Sequence, residues 1–505
     1  MSLAPQTEIS SAERESGLRL LVLEAAFSSG TGALTSGVIL TAFALHLGAS
    51  NLWVGVLASA PFITQLLQLP AISVVERLRA RKRIAVVTSA IGRAMLLVMA
   101  ATAFFTGALP LLVFLLAQYV LCGLSAFGSC AWNAWIRDLA PEDRLGNVFA
   151  RRTTWTAGIT LVAGLAAAFI LERTTEGSAD RSLAFAAMFV VGCVTGLLSA
   201  TVVSRIPEPA MPPPSGHISL LELLRAPLSD VNFRRLLIFV VSWQVAVNLA
   251  TPFFTVFIVK QLGFDVSMVM VLSALSQLAN LFALRFWGAL TDRFSNKSVL
   301  LVSAPAYILS IVAMIGASQS SNDIFVIGWL AFLHLLMGAS VAGVTLASTN
   351  IALKLSPKGA ATAYVATNAM AIALAAGLAP IVGGLLADFF AARQLELLLS
   401  WSSPAGTLSF PFRLSHWDFY FLLAGVFGLY AVHRLSMVAE EGEIERREMV
   451  EQVVGRTLRA IRNGSSVAGL RMITELPPSL LRDAKLRFRL ARMRKRRSQR
   501  RAALP

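Results

Sequence analysis

The sequence predicts an all-α polytopic membrane protein with twelve transmembrane helices in two pseudo-symmetric six-helix bundles. Three observations carry that expectation. The 505 residues are 56% hydrophobic and only 14% charged, whereas a soluble chain carries about 25% charged residues. Twelve apolar runs are each long enough for the roughly 20 residues that a ~30 Å hydrocarbon core requires. Landmarks in the two halves of the chain also recur at one fixed offset. Free backbone groups find no water in the hydrocarbon core, so the runs must be helices. The ten-residue alternation of a membrane β-barrel is absent.

Residues 1–17, MSLAPQTEISSAERESG, are polar and include Glu8, Glu13 and Glu15. They lack the basic-then-apolar layout of a cleaved signal and read as a cytoplasmic segment before an uncleaved first span. The N-terminal six-helix bundle takes residues 18–205, with spans at 18–47, 51–75, 84–106, 109–135, 153–172 and 183–204. A Pro-rich cytoplasmic linker follows at 206–233, containing IPEPAMPPPSGHISLLELLRAPLSD and ending in a short amphipathic stretch. The C-terminal six-helix bundle takes 234–437, with spans at 234–259, 267–290, 298–317, 324–350, 361–390 and 417–437. Residues 438–505 form a basic cytoplasmic tail.

Lys and Arg set the orientation. Loops after even-numbered spans hold seventeen of them, among them Arg77, Arg79, Arg81, Arg144, Arg293 and Lys358; loops after odd-numbered spans hold five. Both termini are therefore expected in the cytoplasm and the protein in the cell inner (plasma) membrane. The net charge of +16 follows from these loops and the tail rather than from a nucleic-acid surface. Cys122, Cys130 and Cys193 all fall inside spans, which supports neither a disulfide framework nor a zinc site. No cofactor is expected.

Between two apolar runs lies WGALTDRFSNK (287–297), and a worn cousin, AISVVERLRARK, occupies 71–82. Asp292-Arg293 and Glu76-Arg77 are 216 positions apart; so are Pro141 and Pro357, each in the loop after the fourth helix of its half. Two landmarks at one offset indicate a duplicated six-helix unit. The run Gly288-x-Leu290-Thr291-Asp292-Arg293-x-x-Asn296-Lys297 resembles the loop signature of the major facilitator superfamily (MFS), G-x-L-A-D-R-x-G-R-K, which follows the second helix of each half. The first copy departs from it, with Ile72 for Gly, Glu76 for Asp and Arg79 for the later Gly.

Over residues 18–437 the resemblance implies the MFS fold: two bundles rocking about a central site, with this loop touching the other half in the outward-facing state. An Asp at a helix end can pair with an Arg or accept amide hydrogen bonds from a neighbouring helix start. A contact made in only one of two states biases their equilibrium. Glu76, Arg77, Gly288, Asp292 and Arg293, with Asp138 and Arg144 of the following loop, are accordingly the gating candidates. The plainer reading is that the arginines only hold these loops inside.

A polar stripe on a transmembrane helix must face protein or water. Span 1 offers Glu24, Ser28, Thr31 and Thr35; span 4 offers Gln118, Cys122, Ser125 and Ser129, continuing to Trp132 and Asn133. Span 7 offers Gln244, Asn248, Thr251 and Thr255, and span 10 His334, Gly338, Thr345 and Thr349. Spans 2 and 8 add Gln65, Gln68, Ser273, Gln277 and Asn280. In the resembled family the first and fourth helices of each half line the central cavity. Helix packing is the alternative for any single Ser or Thr. Spans 3, 6, 9 and 12, mostly Ala, Val, Leu and Ile, read as lipid-facing support.

Charged residues more than three positions from the ends of these spans are Glu24, Arg93 and Arg285, and titratable His334 lies near the centre of span 10. Two readings stand for the first pair. Arg93 bridges Glu24 in a structural or proton-sensitive pair, or Arg93 snorkels while Glu24 caps a helix end. His334 is the proton-carrier candidate because the intrinsic pKa of His is near neutrality; its alternative is a hydrogen-bonded wall residue. The R-x-x-x-G motif of drug/proton antiporters in this superfamily is missing, since Tyr119 stands four before Gly123. Their span-5 GP motif is missing too. GLAPIVGG (377–384) in span 11 suits bending and close packing.

In the tail, Val450, Val454, Leu458 and Ile461 make an apolar stripe, and eleven basic residues lie between Arg482 and Arg501. Binding of anionic lipid is the expected role, with a regulatory or partner-binding role as the alternative and nucleic acid excluded by the near absence of aromatics. The sequence thus points to a secondary transporter moving a small molecule by alternating access, coupled most simply to protons and acting as a monomer. The uncharged stripes suit a neutral polar or amphipathic solute. The rival reading is a non-transporting MFS-like scaffold or sensor with a partner- or lipid-binding tail. No nucleophile or metal-ligand cluster suggests an enzyme.

Overall fold

Twelve helices among the described residues are long and apolar enough to cross a membrane. The computed structural model describes residues 4–139, 142–211, 220–291, 295–357, 361–403 and 406–440. Spans 1 to 6 are Ser11–His46, Asn51–Leu78, Arg81–Thr102, Ala108–Leu139, Arg151–Glu172 and Ala179–Val203. Spans 7 to 12 are Val231–Gln261, Val266–Thr291, Asn296–Ser318, Asp323–Lys354, Ala363–Phe390 and Trp417–Ser436. Each expected apolar run has its helix. The tail beyond residue 440, Pro141, Asp292 and Arg293 lie outside the described residues, as does the side chain of Arg144.

Several helices outrun their apolar stretches because polar caps start them early. Ser10 and Glu13 form a reciprocal capping box, so span 1 begins at Ser11, seven residues before the apolar run. Asp230 accepts from the amides of Asn232 and Phe233 at the start of span 7. Asn322 does the same for Ile324 and Phe325 at span 10.

Three spans are interrupted well away from their ends. Span 1 breaks between Thr35 and Gly37: Ser36 is extended, and Gly37 sits at φ +59°, a conformation that costs glycine nothing. Span 2 passes through a 3-10 turn at Thr64–Leu67. Span 7 carries a 3-10 turn at Thr251–Phe253 and a π-helical turn at Phe257–Gln261. Pro252 has no N–H to continue the α-helical ladder, which accounts for the first of these.

The two halves pack alike. Span 1 lies against 5 and 6, and span 3 against 4 and 6; span 7 lies against 11 and 12, and span 9 against 10 and 12. The halves meet where span 2 packs on span 11 and span 5 on span 8. The start of the chain, the linker and the end of span 12 share one face, here the terminal face. There Gln6 pairs with the backbone of Glu208 and Ala210, and the Asn232 side chain bonds both backbone groups of Ala439.

One element escaped the sequence reading. Between spans 11 and 12, on the opposite face, an antiparallel hairpin pairs β1 (Gln394–Ser403) with β2 (Gly406–Ser415). Its leucine-rich first strand does not alternate cleanly enough to stand out in so apolar a chain.

Candidate transport cavity

A cavity of about 700 Å³ lies between the halves. The three interrupted spans reach its wall: span 1 with Thr35, Ser36, Gly37 and Val38, span 2 with Pro61, Phe62 and Gln65, and span 7 with Thr251, Pro252 and Phe254. Spans 4, 8 and 10 add Gln118, Ser125, Ser273, Gln277, His334 and Met337.

Of the residues named from sequence, Thr35, Gln118, Ser125, Asn248, Thr251, Gln277 and His334 line this cavity, and so does Arg93. Ser28, Thr31, Asn133, Gln244 and Thr345 do not, and the physical reasons differ. Most of the span 1 stripe is a seam against span 6. Thr31 is fully buried there, with its hydroxyl 3.1 Å from the Gly192 carbonyl and 2.9 Å from Thr195 Oγ1. A buried hydroxyl satisfied by a neighbouring helix is interhelical glue rather than a solute contact. Gln244 is occupied one turn from the wall, where its Oε1 accepts from Asn248 Nδ2 at 2.9 Å. Asn133 and Thr345 are exposed, and Ser28 is half-buried.

The Glu24–Arg93 bridge does not form. Arg152 Nη2 donates to Glu24 Oε2 at 3.1 Å, and Ser199 Oγ donates to Oε1 at 3.3 Å. Arg152 comes from span 5, where its guanidinium also stacks 4.8 Å from the Trp132 ring. Sequence reading missed Arg152, which falls one residue before the apolar run expected at 153–172. It also missed Tyr307 of span 9, which lines the cavity and bonds Thr251 at 3.1 Å. A phenol in a helix otherwise reading as lipid-facing is the signal that could have found it.

His334 Nδ1 lies 2.8 Å from the Leu330 carbonyl. That oxygen can only accept, so Nδ1 carries the ring proton and Nε2 is the acceptor of the neutral imidazole.

The halves are sealed at the face opposite the termini. Asn51 Nδ2 donates to Asp388 Oδ1 at 2.9 Å, and the Leu52 amide donates to Oδ2 at 3.1 Å. Gly55 lies so close to the Pro380 carbonyl that no Cβ would fit between them. Asn133 of span 4 and Thr345 and Thr349 of span 10 are exposed.

Glutamates tie the chain leaving each half back to that half's third helix. Glu208 accepts from the amides of Arg81 at 2.7 Å and Lys82 at 3.1 Å. Arg81 in turn bonds Asp138 at 2.5 Å and the Pro209 carbonyl at 2.9 Å. Glu440 accepts from the Lys297 amide at 2.7 Å, from Asn296 Nδ2 at 2.9 Å and from Lys354 Nζ at 3.1 Å. Burial alone would raise the Glu440 carboxyl, but these donors outweigh it and hold the group below the ordinary carboxylate value. Glu76 and Arg77 are exposed in the last turn of span 2, and Gly288 lies in the last turns of span 8 with open space around it. Among the described residues, no group of three or more His, Cys, Asp or Glu could hold a metal ion.

A twelve-span, two-half fold around a central cavity defines a multi-pass membrane transporter. The chain belongs to the Major Facilitator Superfamily, whose family model matches residues 22–321 and 236–490. No curated protein matches the sequence. Among solved structures, the nucleoside transporter NupG (D323A mutant) is similar at 14% identity and TM-score 0.61, covering 85% of this chain and 100% of its own. A bacterial homologue of the human lysosomal transporter Spinster, inward-facing and occupied, is similar at 15% identity and TM-score 0.60, with 85% and 97% covered. The inward-open xylose transporter XylE from E. coli follows at 13% and 0.58, with 87% and 99% covered. At such identities the likeness concerns the fold alone.

Proposed function

We propose that the protein is a secondary active transporter that carries a small molecule across the plasma membrane by alternating access, acting as a monomer with both termini in the cytoplasm. The positive-inside count supports that orientation, which would put the Asn51–Asp388 contact on the outer side. One observation carries the reading: a cavity walled by interrupted spans from both halves, with the Asn51–Asp388 contact joining those halves at one face. Such a contact must break for the cavity to open outward, and a solute that binds both states is carried between them.

The motif loops are the proposed counterpart latch. Asp292, Arg293, Glu76, Arg77, Asp138 and Arg144 would close the cytoplasmic side when the Asp388 contact opens. His334 is the proposed proton carrier, since its Nε2 is free to take a proton at the cavity wall. The basic tail is proposed to hold anionic inner-leaflet lipid.

The test is a solute screen on purified protein by thermal shift, where binding to the folded state raises the melting temperature, followed by vesicle uptake with and without a pH gradient. Saturable uptake by protein-containing vesicles only is expected. Ligands that bind while no solute moves under any gradient would instead support a sensor.

A further inference from the structure

We infer that the central cavity takes an amphipathic organic monoanion, a carboxylate on a largely apolar body. Its anionic end is held between Arg93 and the amide end of the interrupted span 1. This names the substrate class of the transport reading above and rests on it.

The first observation is an uncompensated cation. Arg93 is the one charged side chain lining the cavity among the described residues, and no Asp or Glu shares the wall. It makes no hydrogen bond or ion pair with any described residue. Glu24 is near enough to act on it electrostatically, but both Glu24 oxygens are engaged by Arg152 and Ser199. A guanidinium near mid-membrane without a paired carboxylate is costly. An anion in the cavity would remove that cost, and guanidinium geometry matches a carboxylate's two oxygens.

The second observation is where that cation lies. The Arg93 side chain is laid across Gly196 of span 6, and a Cβ there would come within 2.6 Å of Arg93 Cδ. Thr35, the last residue before the span 1 break, packs on Gly192 of the same helix. Gly192 and Gly196 are four residues apart, about 6 Å along the axis. The root of the guanidinium and the break therefore lie roughly one turn from each other. Past the break, the helix Gly37–His46 starts without a side-chain cap, and Gly37 and Val38 line the cavity. Its first amides have no intrahelical acceptors and carry the positive end of the helix dipole.

A third observation also points to a ligand. Gln118, only 6% exposed, lines the same cavity, and its Oε1 has no hydrogen-bond partner. Its Nε2 donates to Cys122 Sγ at 3.2 Å. An orphaned acceptor inside the membrane calls for a donor, which a hydroxyl or N–H on the solute supplies. The remaining wall includes Leu40, Leu57, Phe62, Phe254, Val269 and Met337. That surface suits an apolar body, while a single guanidinium suits one negative charge rather than two or three. The stripes by themselves suit a neutral polar or amphipathic solute; adding Arg93 to the wall favours an amphipathic one with a single negative charge.

The test uses the purified full chain in lipid nanodiscs and a panel of medium-chain and aryl carboxylates, each with its primary amide and primary amine. Binding is read by calorimetry and by the shift in melting temperature. At least one carboxylate is expected to bind ten or more times tighter than its own amide, with the amine weakest. Arg93→Gln should erase the carboxylate preference while leaving amide binding in place, and Arg93→Lys should keep part of it. The wild-type comparison decides the matter even if Arg93→Gln fails to fold. If no carboxylate outbinds its amide, or if folded Arg93→Gln keeps the preference, the inference is overturned. Uptake of an uncharged solute with no carboxylate preference would sink the anion and leave the transporter. Tight carboxylate binding without flux in vesicles would do the reverse.

Discussion

Asp388 of span 11 holds Asn51 of span 2: one carboxylate oxygen takes the Asn51 side-chain amide at 2.9 Å, while the other caps the Leu52 backbone amide at 3.1 Å. The carboxylate belongs to the second half and the helix start to the first, so the contact joins the bundles at the sealed face. Negative charge at a helix N-terminus contributes about 0.3–1 kcal/mol at an exposed site, and a charge-assisted hydrogen bond somewhat more.

Asp388→Ala should therefore shift the state equilibrium toward the outward-open form by roughly 3–10-fold, since about 1.4 kcal/mol is tenfold. Distances between spin labels at Gly48→Cys and Arg393→Cys would lengthen in the variant. Unchanged distance distributions would show that the contact does not govern closure.

Gly55→Val tests the same seal by bulk rather than charge. Its Cβ would enter the space of the Pro380 carbonyl, and overpacking of this kind costs about 1–3 kcal/mol. Because only the sealed state has that clash, transport should fall at least tenfold while folding is retained, with labels at the sealed face lying further apart.

The ion pair at the base of span 1 predicts a specific rescue. Glu24→Arg alone and Arg152→Glu alone should each impair folding or transport, because each leaves like charges facing one another in a half-buried site. The double swap should recover a substantial part of the loss, whereas combining Glu24→Arg with Arg93→Glu should not. Protein abundance and vesicle uptake read both.

Glu440 makes stability depend on pH in a definite direction. Its folded carboxyl lies below the unfolded value of 4.5, so the unfolded chain takes up the proton first as pH falls. The contribution is whole above the unfolded value and is lost as pH drops through the folded one. Glu440→Gln should cost about 1–3 kcal/mol at neutral pH and flatten this acid limb in thermal unfolding.

His416, just before span 12, acts at milder pH. Burial is the main cause that pulls its imidazole below the ordinary value of 6.5, and Nε2 is buried without a partner. The unfolded chain thus protonates first below about pH 6.5, and stability falls from there toward the folded value. His416→Gln should remove this slope from melting curves taken between pH 7 and 5, while the acid limb from Glu440 persists.

Hydropathy and loop charge depend on local composition, so the number of spans, their register and the duplicated architecture were legible in the sequence alone. The family membership rests on the same layout and on a motif at a fixed topological point. Which side chains meet was another matter, because a helical stripe says that a face avoids lipid but not whether it meets water or a neighbouring helix. On span 1 the stripe serves both ends: Thr31 turns to span 6, while Thr35 reaches the cavity only because Ser36 and Gly37 break the helix there. Arg93 was visible as a cation inside a span, yet the sequence could not choose between its two readings, and Glu24 is taken by Arg152 from a helix 128 positions away. Long-range pairing of this kind is decided by packing, where each donor finds the acceptor that the tertiary contacts leave nearest. Periodicity along one chain carries no record of that choice.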